Sequence, residues 1–166
     1  MNDPRPDIDE ILGTLESGLR DALNLDPLLV GIHTGGAWLA ERLHGSLGLN
    51  EALGTLDISF YRDDFTRIGI NPQVKTSHLP VDIDDRHIVL VDDVLHTGRT
   101  TRAAMNVLFD YGRPRSIVLA VGIERNGREL PIQPDIAGMH LRLTPAQHVK
   151  LTGPGELMFT ISEKTP

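Results

Sequence analysis

The spacing of apolar residues divides the chain into alternating helices and strands. Between residues 7 and 24, apolar positions recur every three or four residues, as they do in a helix with one buried face. Residues 28–32 form a short apolar run that predicts a buried strand, and residues 37–47 return to helical spacing. A chain that alternates between these patterns is expected to form a parallel sheet with helices packed against it, the α/β class.

The second half of the chain continues the alternation less regularly. Residues 101–111 have helical spacing, and Gly112 provides a stop signal. Residues 62–80 lack a clear period and contain Pro and Gly, so they predict a long loop, and a loop of this length is usually functional or disordered. Residues 124–141 are also punctuated by Pro and Gly. The remaining strands are predicted at about 55–61, at 87–91, at 116–123 and, as an edge strand, at 157–161.

Composition narrows the class of protein. A chain of 166 residues with 40% hydrophobic content is expected to bury one core, so residues 1–166 are interpreted as a single domain. No apolar run approaches the roughly 20 residues that span a membrane, and the amino terminus lacks a signal-peptide pattern. The absence of Cys excludes disulfides and thiolate metal sites, and the net charge of −7 disfavours nonspecific nucleic-acid binding. These features predict a cytoplasmic protein.

Residues 88–101 carry the most specific chemical signal. Four apolar residues end in Asp92 and Asp93, a Thr-Gly-Arg-Thr turn follows at 97–100, and helical spacing begins at Thr101. Amides at a helix N-terminus bind phosphate, and carboxylates can bind ribose hydroxyls or a magnesium ion. Each piece alone also fits an ordinary solvated loop end or turn. Their combination in this order predicts a sugar-phosphate site.

A second glycine turn, residues 33–36, follows the predicted strand at 28–32. In parallel α/β sheets, ligands bind at the carboxyl ends of the strands. We therefore expect this turn, the 97–100 turn and the start of the 62–80 loop to share one crevice.

The segment around Asp92 and Asp93 resembles the phosphoribosyl-diphosphate (PRPP) motif of type I phosphoribosyltransferases, in which a strand precedes two acids, two apolar residues, a variable residue and Thr-Gly-x-Thr. Further segments make the chain similar to the PyrR family, whose members regulate pyrimidine operons and carry uracil phosphoribosyltransferase activity. The resemblance covers about residues 29–138. The segments are 57–64 (Asp-Ile-Ser-Phe-Tyr-Arg-Asp-Asp), 80–83 (Pro-Val-Asp-Ile), 89–95, 112–114 (Gly-Arg-Pro) and 128–132 (Arg-Glu-Leu-Pro-Ile).

This resemblance implies the type I phosphoribosyltransferase fold: a mainly parallel central sheet flanked by helices, with a small hood at about 124–166 and a flexible lid loop at about 62–80. It implies a pentosyl transfer in which uracil and PRPP, with Mg²⁺, give UMP and diphosphate. It also implies regulation of pyrimidine gene expression in response to UMP or PRPP, by binding operon leader mRNA, and assembly into a homodimer or homotetramer. The alternatives are a regulator with little or no catalysis and a purine phosphoribosyltransferase.

The same resemblance assigns roles to individual residues. Asp92 and Asp93 would act in catalysis by binding the ribose hydroxyls of PRPP, directly or through Mg²⁺, and Arg62 would contact the diphosphate. The residues that hold the 5′-phosphate would be Thr97, Gly98, Arg99, Thr100 and, through its amide, Thr101. The diphosphate loop would be His33, Thr34 and Gly35, the base would meet Ile136 and Ala137, and RNA would meet Arg125 and Arg128.

Some of these roles have alternatives in the sequence itself. Arg62 could instead pair with Asp63, Asp64 or a neighbouring subunit. Ile136 stands where relatives place an aromatic ring over the base, and it could equally belong to an ordinary hydrophobic turn. The arginines of the second half could be solvated surface rather than an RNA-binding patch, and the first helix is acidic.

Two departures from the family pattern affect the expected activity. Many relatives carry basic residues in the diphosphate loop, whereas His33 and Gly35 supply less charge, so slow turnover is expected. His96 stands where purine-specific relatives have an Asp that handles the base proton, which argues against hypoxanthine or guanine as substrate. His96 could also be simply an exposed turn residue.

Overall fold

The centre of the fold is a five-stranded sheet. The computed structural model describes residues 5–59 and 77–165. Its first five strands are β1 (Leu28–Ile32), β2 (Gly54–Leu56), β3 (His87–Leu95), β4 (Ser116–Arg125) and β5 (Ile136–Leu141). They lie in the order β2-β1-β3-β4-β5, and all neighbouring pairs are parallel, which confirms the predicted α/β class. Residues 60–76, which include Arg62 and most of the predicted lid, lie outside the described residues.

The helices lie where the sequence predicts them. They are α1 (Ile8–Leu23), α2 (Gly35–Leu47) and α3 (Arg99–Tyr111). Asp7 caps α1 because its carboxylate accepts hydrogen bonds from the amides of Asp9 and Glu10. Both α2 and α3 begin two residues earlier than predicted, since each glycine turn leads directly into the first helical turn.

The helices cover both faces of the sheet. In β3, Val89 and Val91 belong to the core cluster that contains buried residues of α1 and α2. Ile88 and Leu90 belong to the second cluster, which contains the buried face of α3. Alternate residues of a strand point to opposite faces, so a strand with a helix on each side must be apolar throughout. This explains the unbroken apolar run before Asp92.

The second strand is shorter than predicted. β2 ends at Leu56 because the carboxylate of Asp57 accepts hydrogen bonds from the amide and hydroxyl of Ser59, at 2.9 and 2.5 Å. Such a local turn competes with pairing to a neighbouring strand. The predicted end of the strand, Tyr61, lies outside the described residues.

The segment 124–141, to which the sequence assigns no strand, has strand residues at both ends. β4 runs on to Arg125, and β5 pairs in parallel with β4, with Ile136 opposite Ala120. Asp135 aligns β5, since its amide donates to the carbonyl of Leu119 and its carboxylate accepts from the Leu119 amide, at 2.9 and 2.8 Å. Pairing with a distant strand, rather than local propensity, decides the conformation of this segment.

The chain ends in a two-stranded antiparallel hairpin of β6 (Gln147–Thr152) and β7 (Met158–Glu163). β7 corresponds to the predicted edge strand, whereas β6 is a strand that the sequence analysis missed. Leu151 and Phe159 are buried in the same core cluster as α1 and α2, and Gly153 packs against the ring of Trp38 in α2. These contacts fix the hairpin beside the carboxyl end of β3, with which β6 is in contact.

The strand order places a ligand crevice between two particular strands. From β1 the chain moves outward to β2, and it then returns to β3 on the other side of β1. In open parallel sheets such a reversal opens a crevice at the carboxyl ends of the two central strands. Within the described residues, no helix combines the length and apolarity needed to cross a bilayer.

Candidate active site

A crevice of about 400 Å³ lies at the carboxyl ends of β1 and β3. It brings together six of the predicted site residues, which are His33, Thr34, Gly35, Asp92, Asp93 and Thr100. Trp38, Val94, Lys150 and Leu151 complete its lining. A larger depression of about 600 Å³ lies beside β7, but among the described residues that border it there is neither a carboxylate pair nor a glycine turn.

Asp92 and Asp93 lie within β3 rather than in a loop after it. Asp92 pairs in register with Val121 of β4 and is only 4% exposed. Its Oδ1 accepts a hydrogen bond from the amide of Asp93, and Oδ1 of Asp93 accepts one from the amide of Val94, each at 2.9 Å. Backbone donors therefore hold both carboxylates in fixed orientations at the floor of the crevice.

The glycine turn after β1 is pressed against these acids. A Cβ atom at Gly35 would lie 2.2 Å from Oδ2 of Asp93, and one at Gly36 would lie 2.5 Å from the carbonyl oxygen of Val91. The amide of His33 donates to the carbonyl of Leu56 at 2.9 Å, and this hydrogen bond joins the turn to the sheet. The His33–Thr34 peptide bond is cis. Glycine is required here because the backbone of α2 approaches β3 too closely for any side chain.

The turn after β3 has the geometry of an anion site. Gly98 is the N-cap of α3 with φ +93°, a conformation that favours glycine. Thr100 and Thr101 lie in the first turn of α3, where amides have no acceptor within the helix and the helix dipole favours an anion. Thr100 lines the crevice. Thr101 is 2% exposed, and its hydroxyl has no hydrogen-bond partner in the part of the chain described.

The segment after β4 supports this turn through hydrogen bonds to its backbone. The carbonyl of Thr97 accepts hydrogen bonds from the amides of Glu129 and Leu130, at 3.0 and 3.1 Å. Nη1 of Arg128 donates to the carbonyl of His96 at 2.5 Å, and Nε donates to the carbonyl of Ile132 at 2.7 Å. Nη2 of Arg128 forms an ion pair with Glu124, a partner that is 22% exposed.

The two arginines predicted to meet RNA are thus engaged within the chain. Arg125 is 7% exposed and donates from Nη1 to the carbonyl of Gln147 at 3.0 Å, and its burial lowers the pKa of its guanidinium. Arg128 is occupied by the contacts already described. Arg99 lies on the surface, where its Nε pairs with Oε2 of Glu129 at 3.1 Å. The structure therefore does not place Arg125 and Arg128 on an open basic face.

A second pocket of about 470 Å³ is lined by His96, the residue just before the 97–100 turn. Asn126, Gln147, His148 and Lys164 also line it. The side chain of Asn126 is already paired with both backbone groups of Leu143, at 2.8 and 3.1 Å. Burial lowers the pKa of His96, and the positive charge of Arg125 lowers it further, so the neutral form of this imidazole is favoured.

Ile136 and Ala137 are not brought into either pocket. They begin β5, several residues before its carboxyl end, and the side chain of Ile136 lies against Gly18 of α1. Their predicted base contact therefore gains no support from their position. Lys150 and His148 have no predicted role, because β6 contains no motif that distinguishes its polar residues from ordinary surface positions.

Comparison with known proteins relates this arrangement to one family. The family described as the phosphoribosyl transferase domain matches residues 7–149. The Bifunctional protein PyrR of Nitrosococcus oceani is 53% identical over 175 aligned positions, which cover 100% of this chain and 99% of that protein. The Bifunctional protein PyrR of Pseudomonas aeruginosa is 60% identical over 131 positions, covering 79% of this chain and 77% of that protein.

Solved structures share the fold at much lower identity. A hypoxanthine-guanine phosphoribosyltransferase from Bacillus anthracis superposes with a TM-score of 0.66 at 13% identity, covering 89% of this chain and 86% of that one. A purine phosphoribosyltransferase from Pyrococcus horikoshii gives a TM-score of 0.58 at 22% identity, with coverage of 83% and 87%. These similarities confirm the predicted fold class. At such identities they carry no information about the base.

Proposed function

The chain belongs to the PyrR branch of the phosphoribosyl transferase family, and on that premise we propose that it transfers phosphoribose from PRPP to uracil, giving UMP and diphosphate. One observation carries the proposal. The glycine turn after β1, the twin acids of β3 and the first turn of α3 border a single crevice. The reaction requires three kinds of contact, namely for a diphosphate, a ribose and a 5′-phosphate, and the crevice supplies one candidate for each.

The 5′-phosphate belongs at the start of α3. Thr100, in the first turn of the helix, lines the crevice, and the free amides of that turn and the positive end of the helix dipole attract an anion. The carbonyl of Thr97 is already bound by Glu129 and Leu130, so the turn is ordered before any ligand arrives. Binding here fixes the ribose ring and its reacting carbon relative to β3.

The ribose hydroxyls belong beside Asp92 and Asp93. One oxygen of each carboxylate accepts a hydrogen bond from a backbone amide, and this arrangement orients the second oxygen. Carboxylate oxygens suit both a sugar hydroxyl and Mg²⁺. Among the described residues, no group of three or more His, Asp or Glu side chains could hold a metal. Two acids suit a Mg²⁺ ion that PRPP already coordinates when it binds. Such an ion would neutralise charge on the departing diphosphate.

The base belongs in the second pocket, next to His96. Uracil attacks the anomeric carbon through a ring nitrogen, which loses its proton as the bond to diphosphate breaks. A neutral imidazole at His96 can accept a hydrogen bond from this nitrogen, while His148 offers a flat ring from the facing hairpin. Asn126 is occupied by Leu143, and Oε1 of Gln147 accepts from the amide of Thr144 at 3.0 Å, so we assign the base to the two rings of the pocket, those of His96 and His148.

The hairpin of β6 and β7 serves as the hood of the site. Positive charge develops on the ribose ring and negative charge on the diphosphate, and both are stabilised more strongly where water is excluded. The hairpin closes one side of both pockets through Lys150 and His148. Arg62 and the proposed lid would close the other side.

Incubation with uracil, PRPP and Mg²⁺ tests the proposal directly. UMP should form, and Asp93→Asn should reduce kcat/KM by about a hundredfold or more, because a preorganised charge at the reacting sugar is lost. Asp21→Asn on the exposed side of α1 is the matched control and should behave like the parent protein. Equal rates for the two variants would remove the assignment. Faster use of hypoxanthine than of uracil would replace it with the purine alternative.

Regulation is a second function that the comparisons favour, since the relatives are described as bifunctional. We propose that UMP and PRPP act as effectors by occupying the same crevice. Because Arg125 and Arg128 are engaged internally, contact with leader mRNA falls to exposed arginines around α3, which are Arg102, Arg113 and Arg115. UMP-stimulated, salt-dependent RNA binding that is lost on charge reversal at Arg113 and Arg115 would support this assignment. Binding unaffected by that reversal would contradict it.

A further inference from the structure

We propose that Lys150 of β6 binds the diphosphate of PRPP and supplies the positive charge that the glycine turn after β1 lacks. The inference rests on the proposed function, and it adds a residue that no motif in the sequence identifies. Lys150 lines the same crevice as His33, Thr34 and Asp93, on an element separated from them by more than fifty residues of chain.

The hairpin holds Lys150 in this position. Leu151 is 2% exposed within the core, and Val149 packs against the same cluster. Because alternate residues of a strand point to opposite faces, Lys150 points away from the core, where its side chain lines the crevice. Contact between Gly153 and the ring of Trp38 fixes the end of the strand against α2. The lysine stem therefore starts from a rigid base.

Charge balance in the crevice identifies the ligand. Among the described residues that line it, Lys150 is the only Lys or Arg, while Asp92 and Asp93 bring two negative charges. Mg²⁺ offsets only part of the charge of a diphosphate that binds beside two carboxylates, so a further cation favours binding. A lysine ammonium is charged at neutral pH, whereas a typical imidazole is mostly neutral. In the described part of the chain, the ammonium of Lys150 forms no ion pair or hydrogen bond that a ligand would have to displace.

The leaving group gains negative charge as its bond to the ribose breaks. An ammonium on the diphosphate side of the crevice therefore stabilises the transition state more than the ground state. The 5′-phosphate lies at the start of α3, where helix amides serve it. Lys150 should consequently discriminate between ligands that carry a diphosphate and ligands that carry only a phosphate monoester.

Calorimetric titration of the full chain with inorganic diphosphate and Mg²⁺ tests this assignment. Lys150→Gln should weaken diphosphate binding by about tenfold to a hundredfold, the range expected when a charge-assisted hydrogen bond is lost. Lys150→Arg should retain most of the affinity. Arg142→Gln removes the same charge from the exposed segment before β6 and should leave the affinity within about twofold, because distant exposed charges are screened. UMP binding should be equal in all four proteins.

Steady-state kinetics give a second readout. Lys150→Gln should raise KM for PRPP and lower kcat while KM for uracil stays unchanged. Equal diphosphate affinity in Lys150→Gln and Arg142→Gln would overturn the role of Lys150, and UMP formation by the parent protein would then still support the proposed transferase. A parent protein that binds UMP but not diphosphate would also overturn the inference. A parent protein that binds neither and forms no UMP would remove the proposed function as well.

Discussion

Arg128 and the backbone of His96 are joined by a hydrogen bond of 2.5 Å, from Nη1 of the guanidinium to the carbonyl oxygen. The contact ties the segment after β4 to His96, the residue just before the proposed phosphate turn at 97–100. Together with the two amides that bind the carbonyl of Thr97, it makes residues 128–132 a support for the turn. The order of the phosphate site therefore depends on residues about thirty positions further along the chain.

Arg128→Met is expected to destabilise both the fold and the phosphate turn. The substitution keeps an apolar stem but removes three donors, including the one that pairs with Glu124, whose carboxylate then retains its contact with Nδ1 of His140 at 2.8 Å. We expect the free energy of unfolding to fall by about 2 kcal/mol, the usual loss for hydrogen bonds to charged groups, and UMP binding to weaken. Urea denaturation and calorimetry measure the two effects. Arg142→Met is the control, and a result for Arg128→Met no different from it would contradict the supporting role.

Gly35→Ala is expected to reduce kcat/KM for PRPP strongly without unfolding the protein. The added Cβ would lie 2.2 Å from Oδ2 of Asp93, so either the carboxylate or the start of α2 must move. A displaced Asp93 can no longer meet the ribose, and we expect a loss of about a hundredfold in kcat/KM, the size seen when catalytic groups are misplaced by about 1 Å.

Gly45→Ala provides the comparison within the same helix. Nothing lies within 4 Å of a Cβ at Gly45, and alanine is a better helix former than glycine. This variant should be more stable by roughly 0.5–1 kcal/mol and keep full activity. Should Gly35→Ala also retain activity, the close approach between α2 and Asp93 would have no functional importance.

Thr100 and Thr101 are adjacent, yet we expect opposite effects from their replacement by valine. Thr100 lines the crevice, so Thr100→Val should weaken binding of PRPP and UMP by about tenfold through loss of one hydroxyl on a phosphate. The hydroxyl of Thr101 is buried and without a partner among the described residues, so Thr101→Val should keep ligand affinity and raise the free energy of unfolding. Ligand titration and urea denaturation of both variants check this contrast. Loss of affinity in Thr101→Val would show that its hydroxyl, and not only its amide, reaches the phosphate.

The sequence was sufficient for the parts of the site that local pattern controls. The apolar run before Asp92 predicts a strand buried on both faces, and the Thr-Gly-Arg-Thr turn predicts a helix start, because each depends on nearby residues. The crevice follows from these elements once the sheet is parallel. Helix positions were predicted to within about two residues for the same reason.

What could not be predicted depends on contacts between distant residues. β5 forms because Asp135 and Ile136 pair with β4. The Pro and Gly residues nearby are typical of irregular structure, so the sequence does not indicate this strand. Arg125 and Arg128 look like surface cations until their acceptors, the carbonyls of Gln147 and His96, are in place. Lys150 is an ordinary polar residue until the hairpin brings it to the crevice.

His96 should give the protein a pH-dependent stability that its replacement reduces. Burial first, and then the charge of Arg125, lower the pKa of His96 in the folded protein below the value of about 6.5 expected for an unfolded chain. Between the two values the unfolded state binds more protons, so the free energy of unfolding falls as the pH drops through about 6.5 and below. His96→Gln removes this proton uptake, and its loss of stability between pH 7.5 and 5.5, measured by urea denaturation, should be smaller than that of the parent protein. Because the other histidines are the same in both proteins, only the difference between the two curves reports on His96, and identical curves would mean that the imidazole lies in water rather than in the pocket proposed for the base.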